Sequence, residues 1–295
     1  MSAGGSSGYD RPIVNQGERM RAFCTDLDGT LRDPVRGIHP ENLAALEELG
    51  RRGVTRVVVT GRSLHHARKV LPPEAPLDWL IFASGAGHLR WPDGACTTQV
   101  GLSGARVREL AARLDELPLS YSIHAPAPHS HEFAYRRRAA DGTDFDQRLE
   151  RNRTHGRPLC TADPAAGFAD GASQFLVFAP AESDWPARLS AALPDLRVLH
   201  STSPLDGRTL WIELQPREIC KSGGAARLLV DQLGIPAAAC RALGNDHNDL
   251  DLLEWAGAAA VVANAPAELR ERFPVVADCA AGGAARAIRA WLAEP

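Results

Sequence analysis

Residues 21–31 read RAFCTDLDGTL, and this stretch decides the fold of the chain. A short apolar run leads into two aspartates two positions apart, Asp26 and Asp28, with Gly29 behind them. Such a run with a polar end is typical of a buried strand that delivers its last residues to the edge of a sheet. Because alternate side chains of an extended segment point the same way, both aspartates can face one site.

Segments of helical and strand pattern alternate on the C-terminal side of this stretch. Residues 40–53 show apolar positions at helical spacing before two glycines, residues 54–61 form a second apolar strand, and residues 77–87 contain a third. The alternation returns after residue 220, with a helix pattern at 221–234 and a strand at 240–245. This order predicts an α/β fold, a doubly wound Rossmann-like parallel sheet with crossover helices.

The pattern of predicted secondary structure changes between residues 88 and 215, where strands are shorter and turn residues are more frequent. Candidate strands there are 120–124, 132–137, 174–178, 197–200 and 209–214, and candidate helices are 104–117 and 183–193. We therefore expect a discontinuous core domain, 21–87 with 216–295, interrupted by an inserted α+β cap domain at 88–215. Residues 1–20 are rich in glycine and serine at their start and predict a flexible tail.

Composition excludes several classes of protein. Of 295 residues, 44% are hydrophobic and 23% charged, which argues against disorder. The formal net charge of -3 argues against a nucleic-acid partner, and the chain has no run of about 18 apolar residues that would span a membrane. Six scattered cysteines without a C-x-x-C pair and a start without a signal sequence predict reduced thiols and a cytoplasmic protein.

Polar residues follow several of the predicted strands, where ligands of open α/β sheets bind. Asp26 and Asp28 would repel each other, and a divalent cation would relieve that cost. A second acidic cluster, GNDHND at 244–249, offers the oxygen ligands that Mg²⁺ prefers. The alternatives are a helix cap or an exposed loop for the first pair and, for the second cluster, an N-cap of the following helix by Asp249 or Asn248.

Two further positions suggest a site for an anion. Thr60-Gly61-Arg62 offers a hydroxyl, a glycine amide and a helix start, which suit a phosphate group. Lys221 opens a predicted helix, where its charge opposes the helix dipole unless an anion lies nearby. A common strand turn and a surface lysine are the alternatives for these two features.

Taken in order, four segments resemble the four motifs of the haloacid dehalogenase superfamily. They are DLDGTL (26–31), VVVTGR (57–62), the lysine of KSGGAARLL (221–229) and LGNDHNDLDLL (243–253). The insertion resembles, in length and element pattern, the cap of the Cof-type, class IIB phosphatases. The resemblance covers nearly everything from residue 21 onward.

The resemblance implies a role for each motif. Asp26 would attack phosphorus, Asp28 would act as acid and then base, Thr60 would hydrogen-bond the phosphoryl group, and Lys221 would neutralise charge. The implied substrate contacts are Leu27, Gly29, Gly61, Arg62 and Asn248, and the implied Mg²⁺ site draws on Asp26, Asp28, Asn245, Asp246 and Asp249. Two positions depart from the family: Asn245 stands where an aspartate is usual, so either Asn245 or Asp246 ligates the metal, and Ser84-Gly85-Ala86 replaces Asn-Gly-Ala.

The expected function is a Mg²⁺-dependent phosphatase for a small phosphorylated metabolite such as a sugar phosphate. A phosphomutase-like transferase and a non-catalytic ligand-binding homologue are the alternatives. In the cap, the stretch 124–138 contains His124, His129, His131 and three consecutive arginines. It either contacts a second anionic group of the substrate or forms a solvated strand edge. Neither a nucleic acid nor a membrane is expected as a partner, and the protein is expected to be a monomer or a homodimer.

Overall fold

The computed structural model describes residues 18–98, 100–138, 143–160, 163, 165–203 and 205–294. The predicted N-terminal tail lies almost entirely outside these residues. The chain forms two compact units. The first takes residues up to Arg62, Ala67–Thr97 and residues from Cys220 onward, and the second takes Ser63–His66 and Thr98–Ile219. The predicted division into 21–87, 88–215 and 216–295 stays a prediction.

The strands are β1 (Ala22–Thr25), β2 (Arg32–Asp33), β3 (Gly37–Ile38), β4 (Thr55–Val59), β5 (Trp79–Phe82), β6 (Gly87–Arg90), β7 (Thr97–Thr98), β8 (Tyr121–His124), β9 (Phe133–Arg136), β10 (Gly156–Pro158), β11 (Gln174–Pro180), β12 (Leu196–Thr202), β13 (Thr209–Pro216), β14 (Cys240–Gly244), β15 (Ala258–Val262) and β16 (Val275–Val276). The helices are α1 (Pro40–Arg51), α2 (Leu64–Arg68), α3 (Gly104–Asp115), α4 (Phe145–Arg151), α5 (Trp185–Ala192), α6 (Lys221–Ala225), α7 (Leu250–Trp255), α8 (Ala267–Arg272) and α9 (Gly283–Leu292). A π-helical segment, Ala226–Gln232, continues α6.

The first unit is built on a sheet of order β16-β15-β14-β1-β4-β5-β6-β7. The strands from β16 to β5 pair in parallel, and β6 is antiparallel to β5. The chain builds β1, β4 and β5 in one direction and later β14, β15 and β16 in the other. The order therefore reverses between β1 and β14, which is the switch point where open α/β sheets bind ligands. The predicted doubly wound α/β fold is confirmed.

Apolar residues on both faces of this sheet explain why its strands read as unbroken hydrophobic runs. Cys24 and Val57 on one face pack with Leu228 and Leu252 from the surrounding helices. On the other face, the Phe23 ring lies 5.9 Å from that of Trp291 in α9. Burial on both sides fixes the register of β1, and this register sets where the residues after it emerge.

A close backbone contact fixes the start of α6. Gly85 has a φ of +101°, and a Cβ at this position would lie 2.4 Å from the carbonyl oxygen of Cys220. A Cβ on Gly224 would in turn meet the Gly85 Cα at 2.7 Å. Ser84, where the family often has asparagine, also adopts a left-handed φ of +53°, which asparagine tolerates better than serine. The glycine pair lets α6 pack directly on the loop after β5.

The second unit is a mainly antiparallel sheet of order β10-β9-β8-β11-β13-β12. One face packs on α3 and α5, with Leu110 and Leu189 contacting residues such as Phe175. The opposite face carries Leu176 and Phe178, which pack against Phe145 of α4. All five predicted strands and both predicted helices of this region are present. Helix α4 and the short strand β10 were not predicted.

No helix in the described part of the chain combines the length and the apolar character that crossing a bilayer requires.

His124 makes the stability of the second unit depend on pH. Its side chain is 7% exposed, Nδ1 lies 3.0 Å from the Ser130 carbonyl oxygen, and burial lowers the pKa of the imidazole to about 4. The folded form therefore resists a proton that the unfolded chain accepts near its ordinary pKa of about 6.5. The contribution of His124 to the free energy of unfolding is fully present above pH 6.5 and is lost as the pH falls towards 4. The loss should reach about 3 kcal/mol in the free energy of unfolding.

Urea denaturation between pH 7.5 and 4, followed by tryptophan fluorescence, measures this loss. His124→Phe should flatten the slope between pH 6.5 and 4, whatever its effect on stability at pH 7.5. The control is His200→Phe, since His200 is an exposed histidine of the same sheet. Equal slopes for the wild type and His124→Phe would contradict the assignment.

Candidate active site

Three neighbouring parallel strands deliver polar residues to one edge of the first unit's sheet. Asp26 follows β1, Thr60 follows β4 and Asn245 follows β14. The amide of Asp26 donates to the Leu243 carbonyl at 3.0 Å, and the Thr60 amide donates to the Ile81 carbonyl at 2.9 Å. The sheet ladder thus continues to the first polar residue after β1 and after β4 and holds both backbones rigidly.

Lys221 joins two buried carboxylates at this edge. Its Nζ lies 2.5 Å from Asp26 Oδ1 and also donates to Asp249 Oδ1. All three residues are buried, with exposed fractions of 1% for Lys221, 6% for Asp26 and 0% for Asp249. The two carboxylates supply the anions that offset a lysine at a helix start.

Burial and charge act on these groups in opposite directions. Burial raises the pKa of Asp26 to about 7, although the Lys221 ammonium lowers it. Burial alone would lower the pKa of Lys221, but the charges of Asp26 and Asp249 outweigh burial and hold it above its ordinary value. The Lys221 ammonium beside Asp26 favours the ionised form of this carboxyl group, which is the form that can act as a nucleophile.

Asp28 is held by two arginines. Arg62 forms a bidentate pair with it, with Nε 2.5 Å from Oδ2 and NH2 2.9 Å from Oδ1. Arg32 adds a longer contact of 3.3 Å to Oδ1. Asp28 and Arg62 each keep about a third of the side chain exposed, so this carboxylate meets solvent while Asp26 does not. The role of Arg62 as a substrate contact stays a prediction.

Asp249 organises the acidic turn of residues 244–249. Its Oδ2 accepts hydrogen bonds from the backbone amides of Asn245 at 2.8 Å and Asp246 at 3.0 Å. The side chain of Asp246 accepts from the His247 amide at 2.7 Å and is exposed, as is Asn248. Asp246 therefore caps the turn of residues 247–249, whereas the alternative interpretation named Asp249 or Asn248 as the N-cap. Asp249 closes the same turn from its other end and binds Lys221.

Asn245 is the residue of this turn whose side chain lies against the two aspartates. One terminal atom of its amide is 2.8 Å from Thr30 Oγ1, 3.0 Å from the Asp28 carbonyl oxygen and 3.2 Å from Asp26 Oδ2. Gly29, with a φ of +79°, leaves the room for this approach, because a Cβ there would lie 2.7 Å from Asn245 Nδ2.

The remaining predicted residues lie in the same loops. Thr60 is buried, and its Oγ1 accepts from the Arg62 amide at 3.1 Å, which folds the turn after β4. Gly61 is exposed within that turn, and Leu27 is fully buried between the two aspartates. The Leu27 amide donates a hydrogen bond that helps to lower the pKa of Asp26.

The oxygens around Asn245 fit a small divalent cation. Neighbouring ligands of octahedral Mg²⁺ are about 2.9 Å apart, close to the 3.0 and 3.2 Å separations seen here. Among the described residues, no group of three or more His, Cys, Asp or Glu side chains is placed to hold a metal. A cation here would thus rely on one carboxylate, Asp26, with the Asp28 carbonyl and the Asn245 amide.

Two contacts of this site were missed in the sequence. Thr30 is fully buried against Asn245. Asn264, just after β15, donates to the Gly29 carbonyl at 2.8 Å and accepts from the Cys279 amide at 3.0 Å. The position of Asn264 behind an apolar strand is the same signal that identified Asn245, so the sequence did contain it.

The cap candidates are engaged within the second unit. Arg136 binds Asp115 through Nε and NH2 at 2.9 and 3.0 Å, and Arg138 NH2 reaches the Asp115 carbonyl at 2.5 Å. Arg137 pairs with Asp146, with NH2 2.5 Å from Oδ2. These ion pairs favour a structural strand edge over a contact with an anionic group.

Comparison with known proteins identifies the family. The family model of the haloacid dehalogenase-like hydrolases matches residues 23–288. The chain belongs to this family. The hydrolase is 27% identical over 288 residues to the HMP-PP phosphatase of Cronobacter sakazakii, with 94% of this chain and 97% of that protein covered. It is 25% identical over 280 residues to the phosphatase YwpJ of Bacillus subtilis, with 88% and 93% covered.

Solved structures agree on the fold of the hydrolase. The phosphatase BT1666 of Bacteroides thetaiotaomicron aligns with a TM-score of 0.75 at 18% identity, over 97% of this chain and 99% of that chain. The subclass IIB sugar phosphatase BT4131 aligns with a TM-score of 0.67 at 15% identity, over 92% and 98%. The expected resemblance to the Cof-type, class IIB phosphatases is confirmed.

Proposed function

We propose that this hydrolase is a Mg²⁺-dependent phosphatase of small phosphorylated metabolites that works through an aspartyl-phosphate. Phosphatase activity follows from its family and from relatives that are named phosphatases. The metal, the substrate class and the role of each residue are the proposed part. The observation that carries them is the buried Asp26, which is joined to Lys221 at the switch point between β1 and β14.

In the proposed reaction, Asp26 Oδ1 attacks phosphorus as the bond from phosphorus to the leaving oxygen breaks. Asp28 enters this step in its protonated form and donates that proton to the leaving oxygen, which leaves Asp28 as the carboxylate that Arg62 binds. The same carboxylate then removes a proton from the water that attacks the phosphoryl group. The bond between phosphorus and Asp26 breaks, inorganic phosphate leaves, and the Asp26 carboxylate is restored.

Charge stabilisation comes from fixed groups around this path. Lys221 keeps its ammonium at Asp26 because Asp249 binds it from the other side. Thr60 and the exposed backbone of Gly61 are the proposed contacts for phosphoryl oxygens. Asp26, the Asp28 carbonyl and Asn245 would hold the cation, which when bound neutralises negative charge on the carboxylate and the phosphate. Phosphoryl transfer depends mainly on such positioning and neutralisation.

The substrate class is proposed from relatives as well as from the site. A relative that matches nearly full length is named for HMP-PP, and a structural neighbour of the same fold is a sugar phosphatase. Both names describe small phosphorylated molecules. We further propose that the protein works in the cytoplasm.

Phosphate release from a panel of phosphorylated metabolites tests the proposal. The panel holds sugar phosphates, phosphoglycolate and HMP-PP, each with Mg²⁺ and with EDTA. We expect release from at least one compound with Mg²⁺ and a loss of at least roughly 100-fold with EDTA, since the cation neutralises developing charge. Release that is equal in EDTA would overturn the metal requirement, and no release from any compound by folded protein would overturn the phosphatase. Product analysis by ³¹P NMR separates a mutase, which returns the phosphate on an isomerised product.

A further inference from the structure

The amide of Asn245 can be turned in either of two ways, and the two orientations have opposite consequences. A nitrogen at the inward position donates hydrogen bonds to the Asp28 carbonyl and to Asp26 Oδ2, at 3.0 and 3.2 Å. An oxygen at the same position accepts from the Thr30 hydroxyl at 2.8 Å but then faces two further oxygens. The Asn245 oxygen would then repel the Asp28 carbonyl oxygen and Asp26 Oδ2, unless a cation lies among the three. The two orientations are related by a half-turn of the amide, which also exchanges the atom at its other end, where only donors lie.

We propose that Asn245 is a switching ligand that turns its amide when a divalent cation binds. In the metal-free protein the NH₂ group points inward and holds the Asp26 carboxylate and the Asp28 carbonyl in place. When the cation binds, the amide turns and presents Oδ1 to it. This inference rests on the cation site of the proposed function and assigns to Asn245 a role that an aspartate cannot fill, because a carboxylate has no hydrogen to donate.

The switch makes the site preorganised but weak. The cation can bind only after the amide hydrogens of Asn245 have turned away. The oxygen that replaces them, Asn245 Oδ1, is neutral and therefore attracts the cation less strongly than a carboxylate would. Asp249 cannot supply the missing charge, since Lys221 and the backbone amides of Asn245 and Asp246 already occupy its oxygens. Affinity for such cations depends on the number of charged ligands. We therefore expect a weaker site than one with an aspartate at position 245.

The substitution Asn245→Asp tests both consequences, the preorganisation of the metal-free site and its weak affinity for the cation. A carboxylate there adds a charged ligand for the cation, and in the metal-free protein it faces Asp26 and the Asp28 carbonyl with no hydrogen to share. The variant should bind Mg²⁺ roughly 10-fold more tightly. Its melting temperature without metal should lie below that of the wild type, and the rise on adding Mg²⁺ should be larger. His247→Asp is the matched control, because it introduces a carboxylate at an exposed position of the same turn, at a side chain with no proposed role in binding or catalysis.

Metal-free wild type, Asn245→Asp and His247→Asp are titrated with Mg²⁺ by calorimetry and with Mn²⁺ by electron paramagnetic resonance, without substrate. The side-chain amide signals of Asn245, identified by their loss in Asn245→Asp, are followed by ¹⁵N NMR. A Mg²⁺-dependent shift of these signals, with tighter binding in Asn245→Asp and affinity within twofold of the wild type in His247→Asp, supports the switch. Unchanged amide signals, or equal or weaker binding in Asn245→Asp, overturns it. These experiments measure metal binding and not phosphate release. If the phosphatase proposal is wrong, metal binding will still follow the pattern above, but no compound will release phosphate.

Discussion

Asp26→Asn is expected to lower phosphate release by at least roughly 10⁴-fold in kcat, because a carboxamide cannot attack phosphorus. The substitution preserves size and shape, so the protein should stay folded. It also removes one of two carboxylates that share the Lys221 ammonium, and Asp249 still pairs with this lysine. The melting temperature should therefore not fall. Phosphate release and thermal melting, measured side by side, check both parts.

Asp93→Asn is the control for this substitution, because Asp93 is an exposed aspartate of the same unit. It should keep the activity of the wild type. Asp26→Asn protein that melts normally yet retains more than one hundredth of the activity would remove Asp26 from the role of nucleophile.

Lys221→Met should damage both activity and stability. The methionine leaves Asp26 and Asp249 buried and without their cation, and breaking a buried ion pair from one side costs about 3–5 kcal/mol. We expect the free energy of unfolding to fall by that amount and kcat to fall by roughly 10³-fold, the size of effect seen when a preorganised donor is removed. Urea denaturation and phosphate release measure the two losses.

Lys69→Met offers a matched control, since the chain has only two lysines and Lys69 is exposed. It should change neither quantity. The double variant Asp26→Asn with Lys221→Met should recover about 1–3 kcal/mol of the lost stability, because one of the two stranded charges is gone. A double variant no more stable than Lys221→Met would show that repulsion between the carboxylates is not the cause.

The sequence predicted the parallel core and its four motifs because the information there is local. Apolar runs such as residues 54–59 identify buried strands, and the topology of the sheet brings the ends of β1, β4 and β14 together. Helix α4 was missed because its short segment has few apolar residues, and Phe145 gains its burial from β11, which lies far along the chain.

The details of the candidate site could not be predicted, because they depend on which atoms meet across the sheet. The motif left Asn245 and Asp246 as alternatives. The structure places Asn245 at the aspartates because Asp249 binds both backbone amides of the turn and leaves Asp246 as its exposed cap. Arg62 is predicted to contact the substrate, and the sequence could not show that the spacing of β1 and β4 also allows it to bind Asp28. Whether the remaining residues have their proposed roles stays a prediction.

The position of β14 beside β1 has a consequence for how the protein is made. Thr30 and Asn245, which meet at the site, are 215 residues apart in the chain. At a synthesis rate of about 5–20 residues per second, β1 waits roughly 10–40 s on the ribosome for the strand that completes its ladder. Nearly all of the second unit is synthesised during this interval, because residues 98–219 precede β14. The candidate site is thus among the last parts of the nascent chain to assemble, and a product truncated before Cys240 leaves β1 with an unpaired edge.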